Sequence, residues 1–363
     1  MIARRRLLTS TLLAAAAASV PVRAAAQPSL PADPDGTVPD ALVARGGAGV
    51  LEPGFPIGHL AVTWSGAPSG GSVRFRTAAG WGPWQFVVAG CTARADRAAA
   101  LLPAGGALAA ELDPEPGVDV AAVAVNTTDG TRRTAARRAV PTDPPPGVPD
   151  RARYRSRASW EADESLRFGP DGTELFPPAF FDVQTFTVHH TVTANANPTP
   201  AATVRAIYVA HTVEQGFGDI GYHLLVDQQG GVYEGRWSGA DPIPVFGPRG
   251  GRPLMCNAAH VAGFNAGNVG IALLGDLTST QPTPAARETL VGLLAGLCAL
   301  TRVDPQARVH YVNPISGATR DVDAIAGHRD WAATECPGNA FHPTLPDLRR
   351  EVAALLRPGV PVQ

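Results

Sequence analysis

Short runs of alternating hydrophobic and polar residues dominate the chain between positions 59 and 125. In the run 72–77, Val73 and Phe75 alternate with serine and arginine, which is the pattern of a strand with one buried face. Strands at short spacing predict a small β-sandwich in this part of the chain. Similar runs, separated from it by glycine-containing breaks, lie at 59–64, 84–88 and 118–125.

The second half of the chain contains strand-like runs of a different kind. β-branched and aromatic residues predominate in 184–190, and 268–274 is apolar after its first residue, as expected of a buried strand. Two further runs, 222–226 and 231–234, have the spacing of a hairpin.

Helical signals alternate with these strands. Thr199-Pro200 and Thr283-Pro284 each place an N-cap residue and a first-turn proline at the start of a helical pattern. A last helix is predicted at about 343–356. The predicted fold class is therefore α/β, with a central mixed β-sheet flanked by about three helices and preceded by the small β-sandwich-like domain.

The first 26 residues have the pattern of an export signal. Arginines at 4–6 precede the apolar stretch 7–20, and small residues at 24–26 suit cleavage before Gln27. The arginines followed by two leucines resemble a twin-arginine signal. The apolar stretch is short for a membrane span, so we expect an exported protein, secreted or in the cell envelope, without a stable span after signal removal.

A proline-rich segment at 141–150 marks the boundary between the two halves. Its composition predicts a stiff linker. The predicted organisation is a β-rich N-terminal domain of unknown role at 27–140, the linker, and an α/β domain at 151–363.

Charge argues against a nucleic-acid partner. Removal of residues 1–26 would leave 26 arginines against 32 acidic residues, a net charge of −6, and no basic run follows. Nucleic-acid-binding domains instead carry basic patches.

Four cysteines are present, Cys91, Cys256, Cys298 and Cys336. Outside the cytoplasm thiols tend to pair. Four cysteines allow three complete pairings, or one disulfide with two cysteines in other roles.

Two tryptophans, Trp81 and Trp84, lie close together in the β-rich half. They fit either a carbohydrate-binding platform or packing in a core or turn. Because aromatic side chains are usually buried, the second interpretation is favoured.

Metal-competent side chains concentrate at three places in the α/β half. They are His189-His190 at the end of a predicted strand, His328 in a Gly-His-Arg-Asp segment, and Cys336 eight residues further on. Two imidazoles and one thiolate would hold zinc and leave a fourth position open, as catalytic zinc sites do. Residue types alone leave two alternatives open, because a lone histidine is more often structural and an exported cysteine is more often disulfide-bonded.

Five ordered motifs resemble one known family, that of peptidoglycan recognition proteins and type-2 N-acetylmuramoyl-L-alanine amidases. The resemblance covers about 200 residues, from Ser156 to Leu356. The motifs lie at 156–160, at 186–191, at 220–226 with 232–236, at 259–265 with 268–275, and at 327–330 with 333–338.

The resemblance implies a zinc site and selects its ligands. The first histidine of the pair, His189, would bind the metal together with His328 and Cys336. His190 would then face neighbouring structure. If Cys336 binds the metal, a disulfide between Cys256 and Cys298 is one of the pairings that remain possible.

The resemblance also implies roles for four other residues. Tyr222 matches the catalytic tyrosine of the family, and Thr334 matches a position with a supporting catalytic role. His260 and Asn265 match a loop that contacts substrate. One departure is Glu161, which stands where a glycine usually follows the opening tryptophan.

The implied function is zinc-dependent hydrolysis of the amide between N-acetylmuramic acid and L-alanine in peptidoglycan. The implied partner is peptidoglycan or a muropeptide. The alternative is a non-catalytic module that binds peptidoglycan without cleaving it. Non-enzymatic members of the family typically lack the cysteine ligand, and Cys336 is present here, so the enzyme is favoured. The sequence does not indicate the oligomeric state or the preferred stem peptide.

Overall fold

The structure is a computed structural model, and a β-rich region precedes an α/β region in it, as the hydrophobic patterns predict. The predicted export segment 1–26 and Cys91 lie outside the described residues. No helix in the described part of the chain is long and apolar enough to cross a membrane. The structure describes residues 37–67, 69–90, 97–137, 139, 142–239, 243–247 and 252–357.

Two antiparallel sheets form the core of the β-rich region, and its first and last strands pair in a third, two-stranded sheet. Its strands are β1 (Thr37–Pro39), β2 (Leu42–Gly46), β3 (Gly49–Leu51), β4 (Ile57–Ser65), β5 (Ser69–Thr77), β6 (Gly80–Trp81), β7 (Gln85–Val88), β8 (Ala98–Ala107), β9 (Ala109–Asp113), β10 (Asp119–Asn126) and β11 (Arg132–Thr134). One sheet has the order β2-β10-β4-β8, and the other has β3-β9-β5-β6 with β7 also on β5. Val62 and Trp64 from the first sheet share a core with Val73 and Leu112 from the second, so the region is a β-sandwich.

A six-stranded mixed sheet forms the centre of the α/β region, as predicted. Its order is β12-β16-β15-β18-β14-β21, and only β15 and β16 pair in antiparallel fashion within it. The strands of the α/β region are β12 (Tyr154–Arg155), β13 (Phe180–Asp182), β14 (Thr185–His190), β15 (Leu224–Val226), β16 (Val232–Glu234), β17 (Leu254–Cys256), β18 (Asn268–Leu273), β19 (Arg308–Val312), β20 (Thr319–Asp323) and β21 (Ile325–Gly327).

Three α-helices accompany this sheet in the described residues, as predicted. They are α1 (Pro200–Val209), α2 (Pro284–Thr301) and α3 (Leu345–Leu355). Thr283 caps α2 because its hydroxyl accepts a hydrogen bond from the Ala286 amide. Helix α1 continues as a π-helical segment, Ala210–Glu214. Four short 3₁₀ segments complete the helical structure, at Arg151–Arg153, Glu164–Arg167, His328–Asp330 and His342–Thr344.

Helix α1 is also the contact between the two regions. The outer face of the four-stranded sheet packs against it through small apolar side chains, and Thr127 donates a hydrogen bond of 2.8 Å to the Ala202 carbonyl. Arg45 of β2 pairs with Glu214 at 2.7 Å. The β-sandwich is therefore docked on the α/β region. The apolar members of this contact are Ala61, Val123 and Val125 on the sheet and Ala206, Val209 and Ala210 on the helix.

Glu161, the departure noted in the sequence, belongs to the same contact. Its backbone has φ +60°, a conformation that favours glycine. Its carboxylate lies 2.6 Å from Arg132 in the β-sandwich and 3.4 Å from Arg205 on α1. A glycine here would relieve the backbone but lose this ionic connection.

The proline-rich segment, predicted to be a stiff linker, contacts helix α2 and the central sheet. Gly147 and Pro146 lie directly against Gly292 and Gly296 of α2, where an added Cβ on either helix glycine would meet segment backbone within 2.8 Å. Thr142 donates to the Glu234 carboxylate at 2.7 Å. The segment is thus packed on the α/β region rather than extended between domains.

The possible disulfide between Cys256 and Cys298 is not formed, because both are free thiols buried in the α/β region. The Cys256 thiol lies 3.4 Å from the Trp237 carbonyl oxygen. Cys298 lies in the apolar core beneath α2. Both act as small hydrophobic side chains.

His59 gives the docked arrangement a pH dependence. Its Nε2 lies 3.3 Å from the Thr203 hydroxyl of α1, and burial lowers its pKa to about 4. An unfolded histidine titrates near pH 6.5, so the free energy of unfolding falls as the pH drops from about 6.5 toward 4. Between pH 7 and pH 5, the free energy of unfolding of the wild type should fall by about 1–2 kcal/mol more than that of His59→Gln. Denaturant unfolding at both pH values measures this, and identical losses in the two proteins would contradict it.

Candidate metal centre

The end of strand β14 carries the first predicted ligand. All six residues of the strand are buried, because β18 and β21 flank it in parallel and both faces of the sheet are covered. Val188 is paired with Gly327 of β21, so His189 lies beside His328, the residue that directly follows β21. Parallel pairing therefore brings together two histidines that are 139 positions apart in sequence.

A folded-back loop brings Cys336 to the same place. The Arg329 amide donates to the Cys336 carbonyl at 2.9 Å, which closes the loop between the second and third predicted ligands. The Asp330 carboxylate accepts from the Gly327 amide at 2.7 Å and holds the turn at His328. The other oxygen of Asp330 lies 2.9 Å from His342 Nε2.

The three side chains have the spacing of a metal site. One ligand atom from each of His189, His328 and Cys336 lies within 4.8 Å of the others, and all three residues are buried. The Cys336 Sγ atom is 3.6 Å from His189 Nδ1. Tetrahedral zinc with bonds of about 2.3 Å to sulfur and about 2.0–2.1 Å to nitrogen separates those two ligand atoms by about 3.6 Å.

His260 lies behind His189 and determines which nitrogen of that ring is available. His260 Nε2 is 2.9 Å from the Asn268 carbonyl, which can only accept, so Nε2 carries the proton. Burial lowers the pKa of His260 well below its usual value, which keeps the ring neutral. Its Nδ1, 3.0 Å from His189 Nε2, then accepts a hydrogen bond from the Nε2–H group of His189. The lone pair of His189 is therefore on Nδ1, the atom beside Cys336.

His328 supplies a second observation that fits a bound metal ion. Its Nδ1 is buried and has no hydrogen-bond partner among the described residues. Buried polar atoms are nearly always paired, and a metal ion is one of the partners that explain an exception. The donor set thus fits zinc: two imidazoles, one thiol, and a position left for another ligand.

Tyr222 lies next to the three predicted ligands. Its ring centroid is 5.2 Å from that of His189, and the residue is almost fully buried. Asp219, three residues earlier, holds this segment in place through Arg157 at 3.0 Å and Arg236 at 2.9 Å. Burial alone would raise the pKa of Asp219, but the two guanidinium groups lower it, so the carboxylate remains ionised.

Two other predicted site residues support the loops around the predicted ligands. The Thr334 hydroxyl oxygen accepts from the Cys336 amide at 3.2 Å, so this residue supports the ligand loop. The Asn265 side-chain oxygen accepts from the amides of His260 and Val261, at 2.9 and 2.7 Å, and shapes their loop.

The predicted contact of His260 with substrate does not agree with this placement. Both ring nitrogens of His260 are engaged within the protein, with His189 and with the Asn268 carbonyl. The loop around Asn265 turns the ring inward, toward His189. Its position is that of a residue behind a metal ligand.

The remaining histidines of the region have structural contacts. His190 Nδ1 accepts from the Leu277 amide at 3.0 Å, on the opposite side of the strand from the metal ligands, as predicted. His211 accepts from the Gly221 amide and His223 accepts from the Gly270 amide, both at 2.9 Å.

Two supporting groups were not predicted. His342 carried no recognisable signal, yet it contacts Asp330 beneath the turn at His328. The buried ionic cluster around Asp219 was also missed. A signal was available, because Arg157 and Arg236 lie inside motif segments and Asp219 directly precedes one.

Comparison with known proteins gives the family of the segment that carries these residues. Residues 180–339, which contain every predicted site residue, match the Amidase_2 family, described as N-acetylmuramoyl-L-alanine amidase. This segment is an Amidase_2 domain. The human N-acetylmuramoyl-L-alanine amidase is 32% identical over 161 residues, covering 42% of this chain and 22% of that protein. Peptidoglycan-recognition protein SC2 of Drosophila simulans is 30% identical over 155 residues, covering 42% of this chain and 66% of that protein.

The matches are partial in length. The chain spans 22%, 18% and 24% of the human, pig and mouse amidases it resembles. Among solved structures, drosophila peptidoglycan recognition protein SD is similar at 24% identity and a TM-score of 0.37, covering 53% of this chain and 92% of that one.

The position of His260 gives a testable prediction about the Amidase_2 domain. Removing the acceptor for His189 Nε2–H should free that ring to adopt the wrong tautomer, and such outer partners are typically worth about 10–100-fold in metal affinity. We expect His260→Ala to weaken zinc binding by that factor in a competition titration with a chelating dye. His260→Gln, which offers an acceptor oxygen, should lose less. Unchanged zinc affinity in His260→Ala, with the exposed His310→Ala as control, would contradict the assignment.

Proposed function

We propose that this chain is a zinc-dependent amidase that hydrolyses the bond between N-acetylmuramic acid and L-alanine in peptidoglycan. The observation that carries the proposal is the convergence of His189, His328 and Cys336, with ligand atoms within 4.8 Å of one another, beside Tyr222. The Amidase_2 match over residues 180–339 supports the choice of bond.

His189 Nδ1, His328 and the Cys336 thiolate would hold zinc. When bound, zinc supplies Lewis acidity toward a carbonyl oxygen and lowers the pKa of water to about 7. His260 keeps the His189 lone pair directed at the site, and Asp330 holds the turn that presents His328. The chain thus supplies a preorganised set of ligands with a supporting shell.

The role of Tyr222 is to stabilise charge on the substrate. A phenol donates one hydrogen bond, and the amide carbonyl oxygen becomes negatively charged as the bond is attacked. The buried ionic cluster at Asp219 fixes the segment that carries Tyr222, so the hydroxyl needs little reorganisation. Thr334 would act less directly, by holding the Cys336 amide.

A module that binds peptidoglycan without cleaving it is the second candidate, because some relatives carry the name of recognition proteins. The presence of the cysteine ligand together with both histidines and Tyr222 favours the enzyme. We further propose that residues 1–26 direct export, so that the chain acts outside the cytoplasm on cell-wall material.

Incubation with a soluble muropeptide separates the two candidates. Chain lacking residues 1–26 and loaded with zinc should release a free stem peptide, which is measured by mass spectrometry, while bound muropeptide is measured in parallel by calorimetry. Release of the peptide supports the amidase. Binding at micromolar concentration with no release under any metal condition would establish the recognition module instead.

A further inference from the structure

An exposed aromatic patch lies on the outer face of the five-stranded sheet of the β-sandwich. Trp81 is 36% exposed and Trp84 is 44% exposed, so neither lies in the core, one of the two packing positions predicted for them. Phe86 and Val88 of β7 continue the patch, at 79% and 50%. Contiguous exposed apolar surface on a soluble protein usually marks a binding site.

A single arginine holds the two tryptophans. The Arg74 guanidinium lies 4.8 Å from the ring centroid of Trp81 and 4.6 Å from that of Trp84. Glu111, the cross-strand neighbour of Arg74, pairs with the guanidinium at 2.6 Å and holds it in place. The indole rings are therefore preorganised, which lowers the entropy cost of binding a ligand on them.

Among the described residues, both arginines that contact the tryptophans are paired with carboxylates. Arg74 is neutralised by Glu111, and Arg76, whose guanidinium lies 5.7 Å from the Trp81 centroid, is neutralised by Glu52 at 2.8 Å. An anionic membrane or a nucleic acid would need free cations here. A neutral aromatic surface instead suits an uncharged ligand with flat C–H faces and hydroxyl groups, which is the chemistry of a sugar ring.

The position of the patch leaves it accessible. The other sheet of the sandwich is the one docked on α1, through Ala61, Val123 and Val125. The aromatic face is consequently on the far side of the sandwich from the amidase domain. A polymer long enough to reach around the sandwich would contact both, and a second contact raises effective affinity by avidity.

We propose that Trp81 and Trp84, clamped by Arg74, form a binding platform for the N-acetylated glycan strand of the cell wall. The choice of glycan rests on the proposed function, because the amidase substrate is attached to that strand. The platform would hold the enzyme on its polymer while the metal centre acts on a stem peptide. It requires neither zinc nor hydrolysis.

Two measurements with the zinc-loaded chain test the platform. Titration with a soluble oligomer of N-acetylglucosamine should change the intrinsic tryptophan fluorescence of the wild type. Co-sedimentation with insoluble, peptide-free N-acetylglucosamine polymer should show at least about tenfold weaker binding for the double variant Trp81→Ala/Trp84→Ala. Leu175→Ala, which removes an exposed apolar side chain of the α/β region, should bind as the wild type does.

The outcomes separate this proposal from the amidase. Peptide-free glycan contains no scissile amide, so its binding succeeds or fails independently of hydrolysis. Trp84→Tyr keeps an aromatic face and should retain most of the affinity, which guards against a folding defect in the alanine variants. Equal binding by the wild type and the double variant would overturn the platform. So would an absence of glycan binding combined with a concentration-dependent dimer that the double variant loses, because the face would then be a contact between copies of the chain.

Discussion

Cys336→Ala is expected to remove zinc binding and amidase activity together. The thiolate is the one anionic ligand of the three, and its sulfur lies 3.6 Å from His189 Nδ1. Two neutral imidazoles would remain, so we expect zinc affinity to fall more than about 100-fold. The metal's contribution to transition-state stabilisation is several kcal/mol, so kcat/KM for a muropeptide should fall at least about 1,000-fold.

Cys298→Ala is the matched control for this experiment. It also removes a buried free thiol, but one in the apolar core beneath α2. It should cost about 1 kcal/mol of unfolding free energy and leave zinc stoichiometry and kcat/KM near those of the wild type. If Cys336→Ala bound zinc as tightly as Cys298→Ala does, the proposed ligand set would be incorrect.

Tyr222→Phe is expected to separate catalysis from metal binding. The substitution keeps the ring that packs 5.2 Å from His189 and removes only the hydroxyl. Loss of a positioned proton or hydrogen-bond donor typically costs about 10²–10⁴-fold in rate, so we expect kcat to fall by at least about 100-fold. Zinc affinity should stay within about threefold, because no ligand is touched.

Steady-state kinetics and a zinc competition titration together check this prediction. Tyr208→Phe is a suitable control, because it removes another buried tyrosine hydroxyl, one that donates to the Asp163 carbonyl away from the metal ligands. A Tyr222→Phe enzyme with unchanged kcat would assign Tyr222 a packing role only.

The sequence could nominate the three candidate ligands because each lies in a short local motif. Strand periodicity could not choose between His189 and His190, since every residue of β14 is buried. The choice came from the family resemblance, and the register of β14 with β21 gives its physical basis. Cys336 could not be assigned by spacing, because its approach to His189 depends on the fold of the loop that begins at His328.

Features that depend on contacts distant in sequence were harder to predict. His260 is an ordinary loop residue in the sequence, and its inward position follows from the hydrogen bonds that the His260 and Val261 amides donate to the Asn265 side chain. Trp81 and Trp84 were expected to be buried because aromatic residues usually are. Their shared contact with Arg74 of β5 depends on strand pairing, which local patterns do not identify.

The two halves of the chain were predicted as separate domains joined by a spacer. Glu161 shows why the contact between them was not apparent. Its backbone conformation suits glycine, and only its pairing with Arg132 and Arg205 accounts for a glutamate at this position. The same holds for Gly147, whose close approach to α2 needs the three-dimensional fold.

The most direct test of the amidase proposal is the mass of the products released from one muropeptide, with zinc removed and then restored. We expect the zinc-loaded chain to yield a stem peptide with a free L-alanine amino terminus and an intact N-acetylmuramic acid carboxylate. A chelator should stop the release, and added zinc should restore it. Cleavage that persists after complete metal removal, or products from a different bond, would contradict the account.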